Sequence, residues 1–316
     1  MIEARNLRKE FGPRVAVHDV SLRITAGEKL VLLGPSGCGK TTFLRMLNRL
    51  VEPTAGQVWF NGVDTAGMNP VELRRRMGFV IQGAGLLPHR TVRENILTVP
   101  HLLGWSEEKC ADALFVMKAL LWLFDDWLDA SPHELSTGQR QRVGLARAII
   151  ADPAVVLMDE PFSALDPVTR LQVRREFRAL WTLHDKMVVM VTHDIHEAIE
   201  FADRIALMSP GRIEQVGSPA ELLFQPKSEF VQKFFDGGRL QYEWQATRLH
   251  DLHLPSDEPH RDSVPTLLGL PATHSVAEAM AALGHDRVRT SQLSDAFQSF
   301  RAAPRILPAT GERPAQ

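Results

Sequence analysis

Hydrophobic and polar positions follow different patterns along the chain, and each pattern predicts a different kind of element. Between residues 2 and 28, apolar and polar side chains alternate, which is typical of half-exposed antiparallel strands. From 91 to 150 the pattern is helical, and from 152 to 208 short apolar runs alternate with helical stretches, which favours a parallel sheet with crossover helices. Two short runs, 205–208 and 213–216, flank a Ser-Pro-Gly-Arg turn and predict a hairpin. The sequence therefore predicts an α/β fold with a mostly parallel sheet and an N-terminal antiparallel β-subdomain.

Four apolar runs each end at polar residues of a kind used in phosphate chemistry. Run 30–33 leads into a glycine-rich loop that contains Lys40, and run 79–81 leads to Gln82. Run 155–158 is followed by Asp159 and Glu160, and run 187–191 by Thr192 and His193. In an open parallel sheet, ligands bind beyond the carboxyl ends of the strands. We therefore expect these polar side chains to meet at one rim of the sheet.

The glycine-rich loop, residues 34–41, matches the phosphate-binding pattern G-x-x-x-x-G-K-[ST]. Glycines allow backbone N–H groups to approach an anion closely, and the start of the helix predicted over 41–47 favours negative charge. Lys40 adds a positive charge near the outer phosphates, and the Thr41 hydroxyl can bind Mg²⁺. A chance glycine-rich turn is the alternative, but a strand before the loop and a helix after it favour a nucleotide site.

The remaining rim residues take roles according to their charge. Asp159 is predicted to hold the Mg²⁺ coordination shell, since this cation prefers carboxylate oxygen and water. Glu160 can orient and deprotonate the attacking water as a general base. Gln82 can contact Mg²⁺ or that water, and His193 can donate to the γ-phosphate. The alternatives are a solvated turn for the two acidic residues and a core histidine with a local partner for His193.

A second anion-binding helix start is predicted from the segment 135–142, in which Ser136 and Gly138 precede the helical stretch 143–150. Two phosphate-binding helix starts in one chain suggest that each contacts a different nucleotide. We therefore expect a head-to-tail homodimer with ATP between the subunits.

Taken together, these motifs resemble the ATPase subunits of ATP-binding cassette (ABC) transporters. The motifs are the phosphate loop, Gln82, the signature segment 135–139 (Leu-Ser-Thr-Gly-Gln), Asp159–Glu160, residues 163–166 and His193, in the family's order. The resemblance covers residues 1–235 and implies a P-loop NTPase fold with a helical subdomain at about 88–150 that carries the signature segment. Thr137 stands where glycine is commonest in the family, and we expect an altered rate at most.

The resemblance also implies site residues for ATP and Mg²⁺. Ser136 and Gly138 are expected to contact the γ-phosphate on the opposite subunit, Asp166 to lie at the dimer seam and Phe11 to stack on adenine, although a core phenylalanine is the alternative for Phe11. The implied nucleotide-binding set is Phe11, Gly34, Pro35, Ser36, Gly37, Cys38, Gly39, Lys40, Thr41, Thr42, Ser136, Gly138, Gln139 and Asp166. The metal set is Thr41, Gln82 and Asp159, and the catalytic set is Glu160, His193 and Gln82.

A finer resemblance is to importers of quaternary-amine osmoprotectants such as glycine betaine, choline and carnitine. The segments that carry it are residues 48–54, 70–75, 85–89, 91–96 and 192–198. It implies an ATPase subunit that lies peripherally on the cytoplasmic face of the membrane, contacts integral membrane permease subunits and serves a substrate-binding protein indirectly. The segment from about 82 to 104 is the candidate docking surface for the permease. Import of another small solute, or a soluble ABC ATPase acting on ribosomes or DNA, are the alternatives.

Composition limits the other functions. The 316 residues carry 36 basic and 38 acidic side chains, a net charge of -2, which predicts no nucleic-acid partner. Cys38 and Cys110 are predicted to be free thiols in a reducing cytosol. The first residues do not resemble a signal peptide, and no apolar run has the roughly 18 residues of a membrane span.

Residues 236–316 are predicted to be a C-terminal extension made of a linker and short helices. The segment 250–274 is rich in proline and histidine, and the irregular histidine spacing favours a solvated linker over a metal site. Ser275 and Glu278 resemble a capping box that opens a short helix. Several relatives end in paired regulatory modules that sense ionic strength. The extension is too short for such a pair, so residues 275–283 are expected to be at most the remnant of one.

Overall fold

The computed structural model describes residues 1–181, 185–252, 263–304 and 306. The chain divides into two compact units. Unit 1 contains Met1–His193 and Met208–Ile213, and unit 2 contains Asp194–Leu207 and Glu214–Gln316. These units do not coincide with the ATPase domain predicted to end at residue 235, and that domain boundary stays a prediction.

An antiparallel sheet forms the N-terminal part of unit 1, as the alternating pattern predicts. Its strands are β1 (Ile2–Phe11), β2 (Arg14–Ile24), β4 (Ala55–Phe60) and β5 (Val63–Asp64), in the order β2-β1-β4-β5. Ile2 pairs with Ile24 on one side and with Phe60 on the other, and all three side chains are buried. The alternation therefore reflects one buried face of this sheet.

Four parallel strands bring the apolar runs together, as predicted. They are β3 (Lys29–Leu33), β6 (Met77–Val80), β7 (Val155–Asp159) and β8 (Met187–Thr192), and they lie in the order β3-β8-β7-β6. Leu33 pairs with Thr192 and Asp159 with Val191, so three of the strands end level with one another. The predicted run 79–81 begins two residues after the start of β6 and ends one residue beyond it, because the strand ends at Val80 and Ile81 is exposed.

Eight α-helices of unit 1 are described: α1 (Lys40–Leu47), α2 (Pro70–Arg75), α3 (Val92–Ile96), α4 (Thr98–Leu102), α5 (Glu107–Leu121), α6 (Asp125–Leu128), α7 (Thr137–Ile149) and α8 (Pro167–Trp181). Helices α3 to α7 confirm the helical region predicted at 91–150. Leu114 and Leu121 of α5 are buried, whereas Phe115 is 72% exposed. Within the described ranges, no helix is both long enough and apolar enough to span a bilayer.

Unit 2 is mostly helical. Its helices are α9 (Ile195–Phe201), α10 (Pro219–Phe224), α11 (Glu229–Phe234), α12 (Arg239–Ala246), α13 (Val264–Leu268), α14 (Val276–Leu283) and α15 (Arg287–Ala302). The neighbouring strands β9 (Arg204–Ser209) and β10 (Arg212–Gly217) form the predicted hairpin, whose turn belongs to unit 1.

The C-terminal extension has an apolar core of its own. Val264 and Leu268 of α13 are buried together with Leu293 and Phe297 of α15. Part of the segment that its composition suggests as a solvated linker is therefore a packed helix, and residues 253–262, with His253 and His260, lie outside the described residues. The capping box at Ser275 is confirmed, because it opens α14. A regulatory role of the extension stays a prediction.

Candidate functional site

The phosphate loop is held in a backbone shape that glycine alone fits. Gly39 has φ 111°, and a Cβ on it would lie 2.2 Å from the backbone oxygen of Ala16. Helix α1 begins at the next residue, and no side chain caps its first turn. The N–H groups at the start of α1 therefore face the loop in the way that favours an anion.

Lys40 is folded into the same loop. Its Nζ donates to the backbone oxygens of Gly34 at 2.7 Å and Pro35 at 3.0 Å, and the residue is 4% exposed. The loop thus holds a full positive charge beside the start of α1. Cys38 is a free, buried cysteine, as predicted, and burial raises the pKa of its thiol. A raised pKa keeps the thiol protonated and unreactive.

A cavity of about 340 Å³ lies against the loop. Its lining residues are Phe11, Arg14, Ala16, Ser36, Gly37, Gly39, Lys40, Thr41, Thr42 and Glu160. The Phe11 side chain is 51% exposed, so a ring is available beside the phosphate loop, as stacking on adenine requires. Arg14 was not predicted from the sequence; its Nη2 donates to the backbone oxygen of Gly37 at 3.2 Å.

Half-buried Thr41 and buried Asp159 form a polar pair next to the loop. The Thr41 hydroxyl donates to Oδ1 of Asp159 at 2.7 Å, and Asp159 is 1% exposed. Arg45 of α1, also missed by the sequence, donates from Nη2 to Oδ2 of the same carboxylate at 3.2 Å. A buried carboxylate needs such partners. A hydroxyl and one carboxylate fit Mg²⁺, which usually keeps several waters and shares its other ligands with substrate phosphates.

The three predicted catalytic side chains meet at Glu160. Its Oε2 lies 3.4 Å from the Gln82 amide nitrogen, which donates to it, and its Oε1 lies 3.3 Å from Nδ1 of His193. The Glu160 backbone has φ 47°, and its N–H donates to the oxygen of Val191 in β8 at 3.0 Å. Left-handed residues other than glycine cost about 1–3 kcal/mol and occur at functional sites. Gln82 contacts Glu160 rather than the Thr41–Asp159 pair.

The signature segment opens α7 with a capping box. Ser136 Oγ accepts from the Gln139 N–H at 3.3 Å, and Gln139 Oε1 accepts from the Ser136 N–H at 2.7 Å. Thr137 uses its extra side chain to accept from Nη2 of Arg140 at 3.0 Å. The helix begins at Thr137, six residues before the predicted stretch 143–150, so Ser136 is its N-cap and Gly138 lies in its first turn. Gln139 takes part in the capping box.

Asp166 caps α8. Its Oδ1 accepts from the N–H groups of Val168 and Thr169, both at 3.1 Å. The hydrogen bond from the Thr169 side chain, followed by those from the backbone, lowers the pKa of Asp166. Seven predicted nucleotide-binding residues do not line the cavity at the phosphate loop. Three of them, Gly34, Pro35 and Cys38, belong to the loop itself, and the other four are Ser136, Gly138, Gln139 and Asp166. The contact of these four residues with a nucleotide on another subunit stays a prediction.

Comparison with known proteins agrees with this geometry. Residues 17–163 match the family described as ABC transporter. The chain is 46% identical over 241 residues to the glycine betaine/carnitine/choline transport ATP-binding protein OpuCA of Bacillus subtilis (strain 168), covering 76% of this chain and 63% of OpuCA. The chain thus spans less than two thirds of the length of that relative.

Another relative extends the match into the C-terminal part. The chain is 42% identical over 303 residues to the osmoprotectant import ATP-binding protein OsmV of Salmonella typhimurium (strain LT2), covering 93% of this chain and 76% of OsmV. Among solved structures, the dimeric, post-hydrolysis ATP-binding cassette MJ0796 bound to ADP and Pi is similar, with TM-score 0.62, 32% identity and coverage of 69% of this chain and 98% of that one. The chain belongs to the family of ABC transporter ATP-binding proteins.

Proposed function

We propose that this chain hydrolyses ATP as the ATPase subunit of an importer for quaternary-amine osmoprotectants such as glycine betaine or choline. One observation carries the hydrolysis: the Glu160 carboxylate lies between Gln82 and His193 and lines the same cavity as the phosphate loop. The solute class rests on the names of similar proteins, OpuCA and OsmV.

ATP binding uses the cavity at the phosphate loop. Its phosphates accept from the N–H groups at the start of α1 and pair with the Lys40 ammonium, while adenine stacks on Phe11. Thr41 and Asp159 are the residues that would hold Mg²⁺, which neutralises phosphate charge. Arg14, which lines the same cavity, adds a further positive charge to the site.

Hydrolysis needs a water in line with the γ-phosphate and a group that accepts its proton. Glu160 takes that role, because its carboxylate faces the cavity and its backbone is fixed between β7 and β8. Gln82 and His193 each bind one carboxylate oxygen and orient it. As negative charge develops on the γ-phosphate, His193 is the residue proposed to donate to it. A positioned general base typically contributes about 10²–10⁴-fold in rate.

The complete reaction is proposed to occur in a homodimer. Ser136 and Gly138 of one subunit then contact the γ-phosphate bound by the other, and Asp166 lies at the seam. The subunit acts peripherally at the cytoplasmic face of the membrane with integral permease subunits, while a substrate-binding protein delivers the solute. The segment from about 82 to 104 is the proposed docking surface, and within it Arg93 and Glu94 of α3 are exposed.

The test of the catalytic assignment is Glu160→Gln, which keeps the side chain's shape but removes its ability to take a proton. We expect ATP binding and ATP-dependent dimerisation to persist, while phosphate release slows by about 10²–10⁴-fold. Glu108→Gln, the same change on the exposed surface of α5, is the matched control and should hydrolyse ATP as the unaltered chain does. Hydrolysis by Glu160→Gln at the original rate would refute the assignment.

A second experiment distinguishes the alternatives. The tagged chain is isolated from detergent-solubilised membranes and its partners are identified. An integral permease supports transport, and ribosomes or DNA would support the soluble ABC ATPase instead. Uptake of labelled glycine betaine and choline in cells with and without the chain then tests the solute class; undiminished uptake of both would favour another small solute.

A further inference from the structure

We infer that the C-terminal part of the chain positions His193. Tyr242 and Gln245 of helix α12 contact His196 and so hold helix α9, which begins at Ile195. The inference rests on the proposed ATP hydrolysis, because it assigns positioning residues to that reaction. It gives the C-terminal extension a defined role at the site.

The start of α9 is tied closely to His193. Asp194, the next residue, caps the helix, and its Oδ1 accepts from the N–H groups of His196 at 2.8 Å and Glu197 at 3.3 Å. Two residues separate His193 from His196, and the intervening peptide groups are planar and stiff. Only the dihedral angles of Asp194 and Ile195 can absorb a movement of the first turn of α9, and Asp194 is held by its capping hydrogen bonds, so we expect the His193 backbone to follow such a movement.

One face of helix α12 contacts His196 in the first turn of α9. Nδ1 of His196 lies 2.9 Å from Oε1 of Gln245. An amide oxygen only accepts hydrogen bonds, so the ring nitrogen carries the proton. The ring of Tyr242 meets the His196 ring edge-on, with centroids 5.0 Å apart and an interplanar angle of 64°. Tyr242 and Gln245 are three residues apart on one helix and so lie on the same face.

Other residues of α12 anchor it to α15. Glu243 is 2% exposed, and its Oε2 accepts from Nε of Arg301 at 2.7 Å while Oε1 accepts from Nε of Arg239 at 3.0 Å. The Trp244 ring meets the ring of Phe297 with centroids 6.4 Å apart. The charge-assisted bond between Glu243 and Arg301 and the contact between the Trp244 and Phe297 rings hold α12 against α15, while Arg239, in α12 itself, satisfies the second oxygen of the buried carboxylate. A shift of the C-terminal core therefore reaches α9 through α12.

The test removes the hydrogen-bond acceptor with Gln245→Ala in the full-length chain. Gln241→Ala, at an exposed position of the same helix, is the matched control, and Gln245→Glu restores an acceptor oxygen. We expect Gln245→Ala to lower kcat for ATP hydrolysis by about threefold to tenfold, the effect of one hydrogen bond, with KM for ATP unchanged. Gln245→Glu should recover most of the rate, and Gln241→Ala should not change it.

A background that lacks His193 separates positioning from general damage to the fold. In His193→Ala, the group to be positioned is gone, so adding Gln245→Ala should leave the residual rate unchanged. An equal loss in that background, the same loss in Gln245→Glu, or an unchanged kcat for Gln245→Ala would each overturn the inference. Absence of hydrolysis by the unaltered chain would refute the proposed function and this inference with it.

Discussion

The signature glycine, Gly138, offers the sharpest test of close packing. A Cβ on this residue would lie 2.8 Å from Cγ2 of Thr169, whereas carbon atoms in contact prefer about 3.5–4.0 Å. The Thr169 methyl cannot turn away freely, because a β-branched side chain has few χ1 rotamers on a helix. Gly138→Ala therefore forces a shift at the junction of α7 and α8.

The magnitude follows from two opposing effects. Overpacking of this kind lowers the free energy of unfolding by about 1–3 kcal/mol, whereas replacing glycine by alanine in a helix raises it by about 1 kcal/mol. We expect Gly138→Ala to lower the free energy of unfolding by up to about 2 kcal/mol, measured as a shift in the urea midpoint. Thr169→Ser removes the methyl group and keeps the hydroxyl, so Gly138→Ala should become neutral or stabilising in that background.

The double variant also tests the proposed contact of Gly138 with the γ-phosphate. If its Cα must approach the γ-phosphate bound by a partner subunit, Gly138→Ala/Thr169→Ser should fold as stably as the unaltered chain and still hydrolyse ATP slowly. Thr169→Ser alone is the control and should keep its activity. Unchanged stability of Gly138→Ala would refute the steric reasoning, and a full rate in the double variant would refute the phosphate contact.

Three further predictions concern other parts of the chain. Hydrogen bonds lower the pKa of Asp166 in the folded state, so its contribution to stability is complete above about pH 4 and is lost as the pH falls through that lowered pKa. Asp166→Asn should therefore flatten the pH dependence of the urea midpoint below pH 4. An unchanged profile would contradict the capping role. Arg93→Glu breaks only an exposed pair with Asp129, so it should leave basal hydrolysis intact while lowering uptake in cells; unchanged uptake would count against the docking surface. Phe297→Ala in the C-terminal core should cost about 3–5 kcal/mol of unfolding free energy, and an unshifted urea midpoint would show that the core is not formed as described.

Much of the rim could be predicted from the sequence because its signals are local. Continuous apolar runs identify buried parallel strands, and the residue after each run must lie at the carboxyl edge. This argument placed Gln82, Glu160 and His193 together, and the structure places Gln82 and His193 within hydrogen-bonding reach of the same carboxylate.

The rest of the site depends on geometry that no local pattern encodes. Arg14 and Arg45 are ordinary basic residues in the sequence, and only the packing of β2 and α1 brings them to the cavity and to Asp159. In the extension, the five residues of α13 are too few to show a helical period. The prediction for this segment therefore rests on its proline and histidine content, which suggests a linker. Burial of Val264 and Leu268 comes from tertiary contacts with α15.

At the rim of the sheet, the main chain and the carboxylate of Glu160 are held by different contacts. The main chain of Glu160 lies in the left-handed region and donates a hydrogen bond to β8, whereas its carboxylate is oriented by its polar partners. The partners differ in origin: Gln82 comes two residues after the end of β6, whereas His193 directly follows β8 and precedes Asp194, which caps α9. If α12 positions His193 through α9, losing that contact changes the interaction of His193 with the Glu160 carboxylate and leaves the phosphate loop intact. The inference therefore predicts loss of kcat without loss of ATP affinity.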